Sequence, residues 1–218
     1  MKKITLLLLI LFLTFYCGKN KETYREQITK TFANGKPEIL CKYSRDSGVE
    51  KLVEIVTYNE NGQVIIIENP LTKTRKRFLW HENGRKKSET NLQAGKIHGR
   101  WVKWYSNGSI KYDSVYHQGQ LVHEASYAKT ITGEKFYTDG RLSISREYKK
   151  GILALETFYR AGEVVKKIFF YPDGKKSDER EYKNGVLHGK SIYWDRDGKK
   201  RSETLYRDGK PEARAPSL

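Results

Sequence analysis

Turn-forming glycines recur along this chain at a nearly fixed interval. From Gly84 onward, successive turn glycines are separated by 11 to 13 residues, with one longer step of 21 residues from Gly119 to Gly140. Asn, Asp or another small or polar residue usually precedes each glycine, and these residue types suit the positive φ of a type I′ hairpin turn. The roughly eight residues between turns fit one β-strand, whereas a helix of that length is marginal. The spacing therefore predicts consecutive β-hairpins.

The chain also repeats its own sequence. The segment GRKKSETNLQAG at residues 84–95 is mirrored by GKKRSETLYRDG at residues 198–209, and the stretch 84–104 aligns with 174–194. Self-similarity at a fixed period is typical of a repeat architecture. Two steps lack a glycine where the period requires a turn. We predict the missing turns at Asn69-Pro70 and near Thr132-Gly133.

Alternate residues along the predicted strands do not separate into an apolar face and a polar face. Only 37% of the residues are hydrophobic, and the N-terminal segment holds a large share of them. Two fully apolar inner faces, as a β-sandwich needs, cannot be built from this composition. We predict an all-β fold in which a repeat array of antiparallel β-hairpins forms one long twisted meander sheet of about a dozen or more strands. An N-terminal signal helix precedes the sheet.

The pattern of an aromatic residue, a turn glycine, lysine, an acidic residue, tyrosine and a Gly-x-x-x-Gly spacing resembles the bacterial variant of the MORN (membrane occupation and recognition nexus) repeat. The Gly95–Gly99 and Gly185–Gly189 spacings carry this resemblance. Arrays of this variant are also similar to the YwqK-type family, described as antitoxins of toxin–antitoxin systems. The resemblance extends over residues 31–210 and implies a repeat scaffold, with an antitoxin-like function as a second implication.

The N-terminus has the pattern of an export signal. A basic start at residues 1–3 precedes an apolar run at residues 4–16, which is shorter than the about 20 residues of a membrane-spanning helix. The run stops abruptly at Cys17, so we predict a lipoprotein signal peptide over residues 1–16 and lipidation of Cys17. A signal that is uncleaved or cleaved elsewhere, with an incidental cysteine, is the alternative, since the bulky Tyr16 precedes Cys17.

The rest of the chain is predicted to contain three further segments. Residues 17–30 form a polar tether, residues 31–210 form the MORN-variant repeat domain and residues 211–218 form a flexible tail. After Cys17 the only cysteine is Cys41, so the mature chain cannot form an internal disulfide. A packing role is predicted for Cys41.

No motif for catalysis or cofactor binding is present. The sequence lacks a Walker A loop, a dinucleotide fingerprint, HExxH and GxSxG. His98 and His188 occupy the same repeat position, which indicates a scaffold role. Glu179 and Glu181 share a face, but their setting among basic residues favours a solvated charge ladder over acid–base catalysis. We therefore predict no enzyme activity, no catalytic, cofactor-binding or metal-binding residue and no small-molecule substrate.

The formal net charge of +16 is the most informative functional feature. An exported protein seldom meets nucleic acid as a target, so an anionic lipid or glycan surface is the favoured charged partner, although the charge could also serve solubility alone. The candidate contacts to an anionic partner are Lys73, Arg75, Lys76, Arg77, Arg85, Lys86, Lys87, Lys199, Lys200 and Arg201. The candidate aromatic contacts are Trp101, Trp104 and Trp194.

These features together predict a membrane-anchored, non-enzymatic lipoprotein of the bacterial cell envelope, with the outer membrane or the cell surface favoured. Its β-repeat array is expected to bind a protein or an anionic envelope component. The alternative is an antitoxin-like protein that neutralises a toxin. A neighbouring toxin gene would favour this alternative, whereas the export signal argues against a cytosolic toxin.

Overall fold

The computed structural model describes residues 23–46 and 48–212, and these residues form 17 β-strands without any helix. The chain divides into two compact units, unit 1 up to Gly108 and unit 2 from Ser109. Within each unit the strands form a meander, in which every strand pairs antiparallel with the next one along the chain. The predicted all-β meander is confirmed. The predicted signal helix lies outside the described residues, and the single repeat domain over 31–210 stays a prediction.

Unit 1 contains seven strands: β1 (Thr23–Thr31), β2 (Pro37–Asp46), β3 (Val49–Tyr58), β4 (Val64–Asn69), β5 (Thr74–Trp80), β6 (Lys86–Gln93) and β7 (Lys96–Trp104). Unit 2 contains ten strands: β8 (Ile110–His117), β9 (Gln120–Tyr127), β10 (Ile131–Thr138), β11 (Arg141–Lys149), β12 (Ile152–Arg160), β13 (Glu163–Phe170), β14 (Lys176–Lys183), β15 (Val186–Trp194), β16 (Lys200–Arg207) and β17 (Lys210–Pro211).

The glycines mark two kinds of hairpin turn. The first kind has two central residues, both with positive φ, as at Asn184 (φ 51°) and Gly185 (φ 78°), which is the type I′ conformation. The second kind has a three-residue loop in which only the glycine has positive φ. In the loop that ends at Gly174, the Gly174 amide donates to the Tyr171 carbonyl at 2.9 Å and the Tyr171 amide donates to the Lys175 carbonyl at 2.8 Å. The type I′ prediction is therefore right for the first kind of turn and wrong for the second.

One of the two predicted missing turns is confirmed. Asn69 ends β4, and its side-chain oxygen accepts hydrogen bonds from the amides of Leu71 and Thr72, both at 3.0 Å. The turn predicted at Thr132-Gly133 is wrong, because Gly133 lies inside β10 and the chain turns earlier, at residues 128–130. An added Cβ at Gly133 would lie 3.3 Å from the Ser126 hydroxyl. This glycine therefore permits close approach of a neighbouring strand and does not form a turn.

The polar tether predicted for residues 17–30 is wrong from residue 23 onward, because these residues form β1 and pair with β2. Ion pairs replace the apolar alternation that usually reveals a strand. Arg25 pairs with Glu50 at 3.0 Å and Lys30 pairs with Glu38 at 2.6 Å. At the other end, Pro211 belongs to β17, so the predicted tail is too long at its start, and residues 213–218 lie outside the described residues.

The hydrophobic core is thin. The described part of the chain buries only six apolar side chains, which are Cys41, Val56, Phe78, Val102, Ala125 and Ile168. Most other strand residues are half-buried, on both faces of the sheet. Stability must therefore come largely from contacts between neighbouring strands, where each cross-strand pair contributes about 0.2–1 kcal/mol.

Candidate binding surface

A β-bulge at the start of β6 determines which side chain Lys86 contacts. Leu79 pairs with Ser88 and Trp80 pairs with Lys86, so Lys87 is an extra residue in β6. The extra residue brings Lys86 to the same face as Glu89, and their charged groups lie 2.9 Å apart. The Gly-x-Lys-x-x-Glu pattern of the repeat is therefore an internal ion pair.

The same pair recurs in unit 2. Lys176 lies 3.0 Å from Glu179, and Lys200 lies 2.8 Å from Glu203. Lys166 from the neighbouring strand also reaches Glu179, at 2.5 Å. Burial by itself would raise the pKa of Glu179, but the hydrogen bonds from Lys166 and Lys176 outweigh that effect and hold the pKa below its ordinary value. A carboxylate held by two ammonium groups in this way is poorly suited to act as a general acid.

The Gly-x-x-x-Gly spacing produces a second and wider bulge. In β15, Arg180 pairs with Ser191 and Tyr182 pairs with Leu187, so residues 188–190 face Glu181 alone. The Glu181 carboxylate accepts a hydrogen bond from the backbone amide of Lys190 at 2.8 Å. Glu179 and Glu181 therefore both make contacts within the repeat.

The matching bulge in β7 has a different partner. Residues 98–100 face Asn91, whose amide group donates to the carbonyl of Arg100 at 2.6 Å. His188 lies in the bulge of β15, with its Nδ1 atom 3.2 Å from the carboxylate of Asp208 in the turn between β16 and β17. The bulge thus ties one hairpin to the next, which fits the predicted scaffold role of His188.

Some of the predicted basic contacts already bond to other residues of the sheet, and the others, which we call uncommitted, do not. Arg75 makes two hydrogen bonds to Glu68, at 2.8 and 3.2 Å, which raise the pKa of Arg75, and Arg201 lies 2.5 Å from Asp195. Arg85 donates to the backbone carbonyl of Asn107. Together with Lys86 and Lys200, these residues contribute to the sheet itself. The side chains that form no ion pair or hydrogen bond with the described residues are Lys73, Lys76, Arg77, Lys87 and Lys199.

Two of the uncommitted side chains lie in one groove of unit 1. The groove has a volume of about 570 Å³ and follows β4, β5 and the end of β6. Lys73, Arg75 and Arg77 line it together with Glu68 and Leu92. Since Glu68 is already paired with Arg75, Lys73 and Arg77 contribute uncompensated positive charge. We call this site the basic groove.

The predicted aromatic contacts do not form one cluster. Trp101 donates from its ring nitrogen to the Ser88 hydroxyl at 2.9 Å, and the Lys103 ammonium lies 4.5 Å from the centre of the Trp101 ring. Trp104 lies three residues further along β7, and Trp194 lies in unit 2, where Lys176 approaches its ring at 5.8 Å. All three indole rings are half-buried, so each contributes to local packing of its own strands.

A polar network in unit 2 could not be found from the sequence. Glu134 lies at its centre, accepting a hydrogen bond from the Tyr148 hydroxyl and lying 3.3 Å from the His123 ring nitrogen. Arg146 lies 3.7 Å from Glu134 and bonds to Glu156 at 2.9 Å. Burial, followed by the bond to Glu134, raises the pKa of Tyr148 to about 12. The partners are far apart in sequence and meet only through the strand register.

Two further findings concern other kinds of site. Among the described residues, no group of three or more His, Cys, Asp or Glu side chains is placed to hold a metal ion. The same part of the chain has no helix of the length and apolarity that crossing a membrane requires.

The repeats match a known family model in two places. The model described as MORN repeat variant matches residues 97–118 and 187–208. These two segments are similar to MORN-variant repeats. Both matched segments begin just before a His-Gly bulge, at Ile97 and Leu187, and continue through the following three-residue loop and strand. No curated protein matches the chain.

Two solved structures that the chain matches are much larger than this protein. The first, titled Crystal Structure of TcdB2-TccC3-TEV, is 10% identical with a TM-score of 0.29 and covers 84% of this chain and 15% of its own. The second, titled Crystal Structure of TcdB2-TccC3 without hypervariable C-terminal region, is 9% identical with a TM-score of 0.29 and covers 85% of this chain and 12% of its own. The chain thus spans less than a sixth of the length of either matched chain.

Proposed function

We propose that this protein is a non-enzymatic binding scaffold whose basic groove holds an anionic component of the bacterial cell envelope. The observation that carries this proposal is the pair of uncompensated cations, Lys73 and Arg77, beside the single carboxylate Glu68, which is already bonded to Arg75. An anionic group that enters the groove gains attraction from both cations without displacing an existing ion pair. MORN-variant repeats support the broader function of a repeat-based binding scaffold.

The attachment to the membrane is part of the same proposal. Acylation of Cys17 anchors the chain, and strand β1 follows within a few residues, so the repeats lie close to the membrane surface of the cell envelope. At that surface the basic groove meets lipid headgroups or acidic glycans at high local concentration. We favour the outer membrane or the cell surface as the location. The antitoxin-like function stays a prediction without an observation in its favour.

Charge reversal in the basic groove tests the binding proposal. The variant Lys73→Glu with Arg77→Glu is compared with the native sequence in co-sedimentation with anionic vesicles, neutral vesicles and an immobilised acidic glycan. The experiment uses chains that begin at residue 18, so that an acyl chain cannot insert. We expect the native chain to sediment with one anionic target at low salt and to dissociate as salt rises, because screening shortens from about 10 Å at 0.1 M to about 3 Å at 1 M.

A matched control shows whether binding depends on the position of the two cations or only on the net charge of the protein. Arg160→Glu with Lys183→Glu changes the net charge equally at exposed residues of unit 2. Binding should disappear in the groove variant and persist in this control, with both variants keeping the β circular dichroism spectrum. Equal losses in both variants would show that only net charge matters, and binding of neither anionic target by the native chain would refute the proposal.

Substitution of the acylation site tests the anchor. Cys17→Ser should abolish incorporation of radiolabelled palmitate, and any processed protein should move from the detergent phase to the aqueous phase. Cys41→Ser serves as the control, since Cys41 is buried in β2 and cannot accept a lipid without unfolding. Palmitate labelling that survives in Cys17→Ser would overturn the proposed anchor.

A further inference from the structure

The second glycine of the repeat is missing at β12, as it is at β9, β11 and β13. In the MORN-variant repeats, a turn glycine is followed four residues later by the glycine of the wide bulge, as at Gly185 and Gly189. After Gly151 the fourth residue is Leu155, and the bulge contains one extra residue, Ala154, because Glu147 pairs with Leu155 and Tyr148 with Leu153. β12 begins with Ile-Leu-Ala-Leu, where the repeat at β15 begins with Val-Leu-His-Gly, so that Ala154 and Leu155 stand in place of the His-Gly pair.

The start of β12 contributes to an apolar groove in unit 2. The groove has a volume of about 560 Å³, with Ile152, Leu153 and Ala154 on one side and Phe169 and Phe170 on the other. Ile152 is 43% exposed, although isoleucine is usually buried. Aliphatic and aromatic carbon thus makes up most of the lining of this groove, in a chain with 31% charged residues. We call this site the apolar groove.

Positive charge lies at the mouth of the apolar groove. Lys149 and Lys150, at the turn between β11 and β12, line it and make no ion pair with the described residues. The only carboxylate in the lining is Asp178, which Arg180 neutralises at 2.8 Å. The Arg180 guanidinium in turn lies 5.0 Å from the centre of the Phe169 ring. A ligand therefore meets an apolar wall with two free ammonium groups at its end.

The size of the apolar groove argues for a small molecule. Its volume lies within the range of about 300–1,000 Å³ that small-molecule sites occupy. It spans three strands, or roughly 10 Å across the sheet, whereas a stable protein interface needs about 800 Å² from each partner. We propose that the apolar groove binds a single-chain anionic amphiphile, a fatty-acid carboxylate. Its alkyl chain lies against Ile152 and Phe169, and its carboxylate lies between Lys149 and Lys150. This site uses neither the residues nor the unit of the basic groove.

Photoaffinity labelling of the full chain in its own membranes tests this inference. The probe is dodecanoate with a diazirine in the chain and a terminal alkyne for detection. Trypsin releases residues 151–160 and 168–175 as separate peptides, and these contain both walls of the groove. We expect label on these two peptides, displaced by dodecanoate and not by dodecyltrimethylammonium, which has the same chain and the opposite charge. Label spread over all peptides, or displaced equally by both amphiphiles, would show partition into the membrane only and would overturn the proposal.

Two variants test the apolar wall and the charged mouth of the apolar groove separately. Ile152→Asn should lower labelling about tenfold by removing apolar contact, and so should Lys149→Gln with Lys150→Asn, where asparagine tolerates the φ of 54° at that turn. Val186→Asn with Lys183→Gln is the control, because Val186 is 44% exposed and also follows a lysine and a type I′ turn. Labelling in the control should stay within about twofold of native. Native labelling in both groove variants would refute the site.

Discussion

The Glu181 carboxylate accepts a hydrogen bond from the backbone amide of Lys190 at 2.8 Å, across the bulge that contains Gly189. An added Cβ at Gly189 would overlap the Glu181 carboxylate oxygen and lie 3.1 Å from the Glu181 Cβ. In the matching bulge of β7, an added Cβ at Gly99 would have no atom within 4 Å. The two repeats thus share a backbone conformation and differ in the side chain that closes it.

We expect Gly189→Ala to destabilise the fold more than Gly99→Ala. Both glycines have positive φ, 100° and 75°, so alanine costs about 1–2 kcal/mol at either position. At Gly189 the new methyl group must also displace Glu181 and break its bond to Lys190, which adds about 1–3 kcal/mol. Urea unfolding followed by circular dichroism measures both losses.

A double-mutant cycle isolates the contribution of the carboxylate. In a Glu181→Ala background the additional cost of Gly189→Ala should fall, because only the close approach to the Cβ of residue 181 remains. An equal cost of Gly189→Ala in both backgrounds would mean that the Glu181 contact is not what makes this bulge require glycine.

The ion pairs of Glu179 predict a loss of stability in acid. The pKa of Glu179 in the folded protein lies below its ordinary value of 4.5, so the unfolded chain binds more protons between the two values. The stabilisation is therefore present above pH 4.5 and is lost as pH falls through the folded-state pKa. Thermal unfolding from about pH 7 to about pH 3 should show this fall, and Glu179→Gln should make it less steep.

Glu163→Gln is the control for the acid experiment. Glu163 is exposed at the start of β13 and forms no ion pair with the described residues. Its substitution should leave the pH dependence of the melting temperature as in the native protein. If Glu179→Gln and Glu163→Gln flatten the curve equally, the ion pairs with Lys166 and Lys176 do not stabilise the fold.

The strands could be predicted from the sequence because each turn depends on few local residues, as with Asn184-Gly185. The same reasoning missed β1, since its neighbours stabilise it through ion pairs such as Arg25–Glu50 that have no local pattern. The candidate site was only partly predictable. Lys86 and Lys73 look alike in sequence, and only the bulge at Lys87 commits Lys86 to an internal pair.

The Glu134 network shows a further limit of predicting contacts from the sequence. His123 and Tyr148 reach this carboxylate from positions 11 and 14 residues away, so their meeting depends on the register of three strands. A shift of one residue would turn each of these side chains to the opposite face of the sheet. Neither the turn glycines nor the local composition specifies such a register closely enough to predict individual contacts.

Replacement of the repeat histidines should affect stability and leave binding intact. His188 contributes a contact of 3.2 Å to Asp208, and His98 holds the same position in unit 1. We expect His98→Asn with His188→Asn to lower the melting temperature slightly, and to leave unchanged the co-sedimentation with whichever anionic target the native chain binds. A correctly folded double variant that no longer sediments with that target would assign the histidines to the binding surface.

Two repeats cap the equivalent backbone carbonyl with different side chains, Tyr171 in unit 2 and His81 in unit 1. The Tyr171 hydroxyl donates to the carbonyl of Trp194 at 2.8 Å, and the His81 Nε2 atom lies 3.1 Å from the carbonyl of Trp104. Tyr171→Phe leaves the Trp194 carbonyl without this donor and should lower the melting temperature. Tyr171→His should recover part of that loss, because a histidine already performs this role in unit 1.

Tyr193→Phe completes this experiment. Its hydroxyl lies 3.3 Å from that of Tyr171, and this bond is the main cause that raises the pKa of Tyr171 to about 12. Removing it leaves the bond to Trp194 in place, so the cost should be smaller than that of Tyr171→Phe. Thermal unfolding of the three variants under one set of conditions gives the order. If Tyr171→His is as unstable as Tyr171→Phe, the two side chains are not interchangeable, and the repeats differ at this position in more than the donor atom.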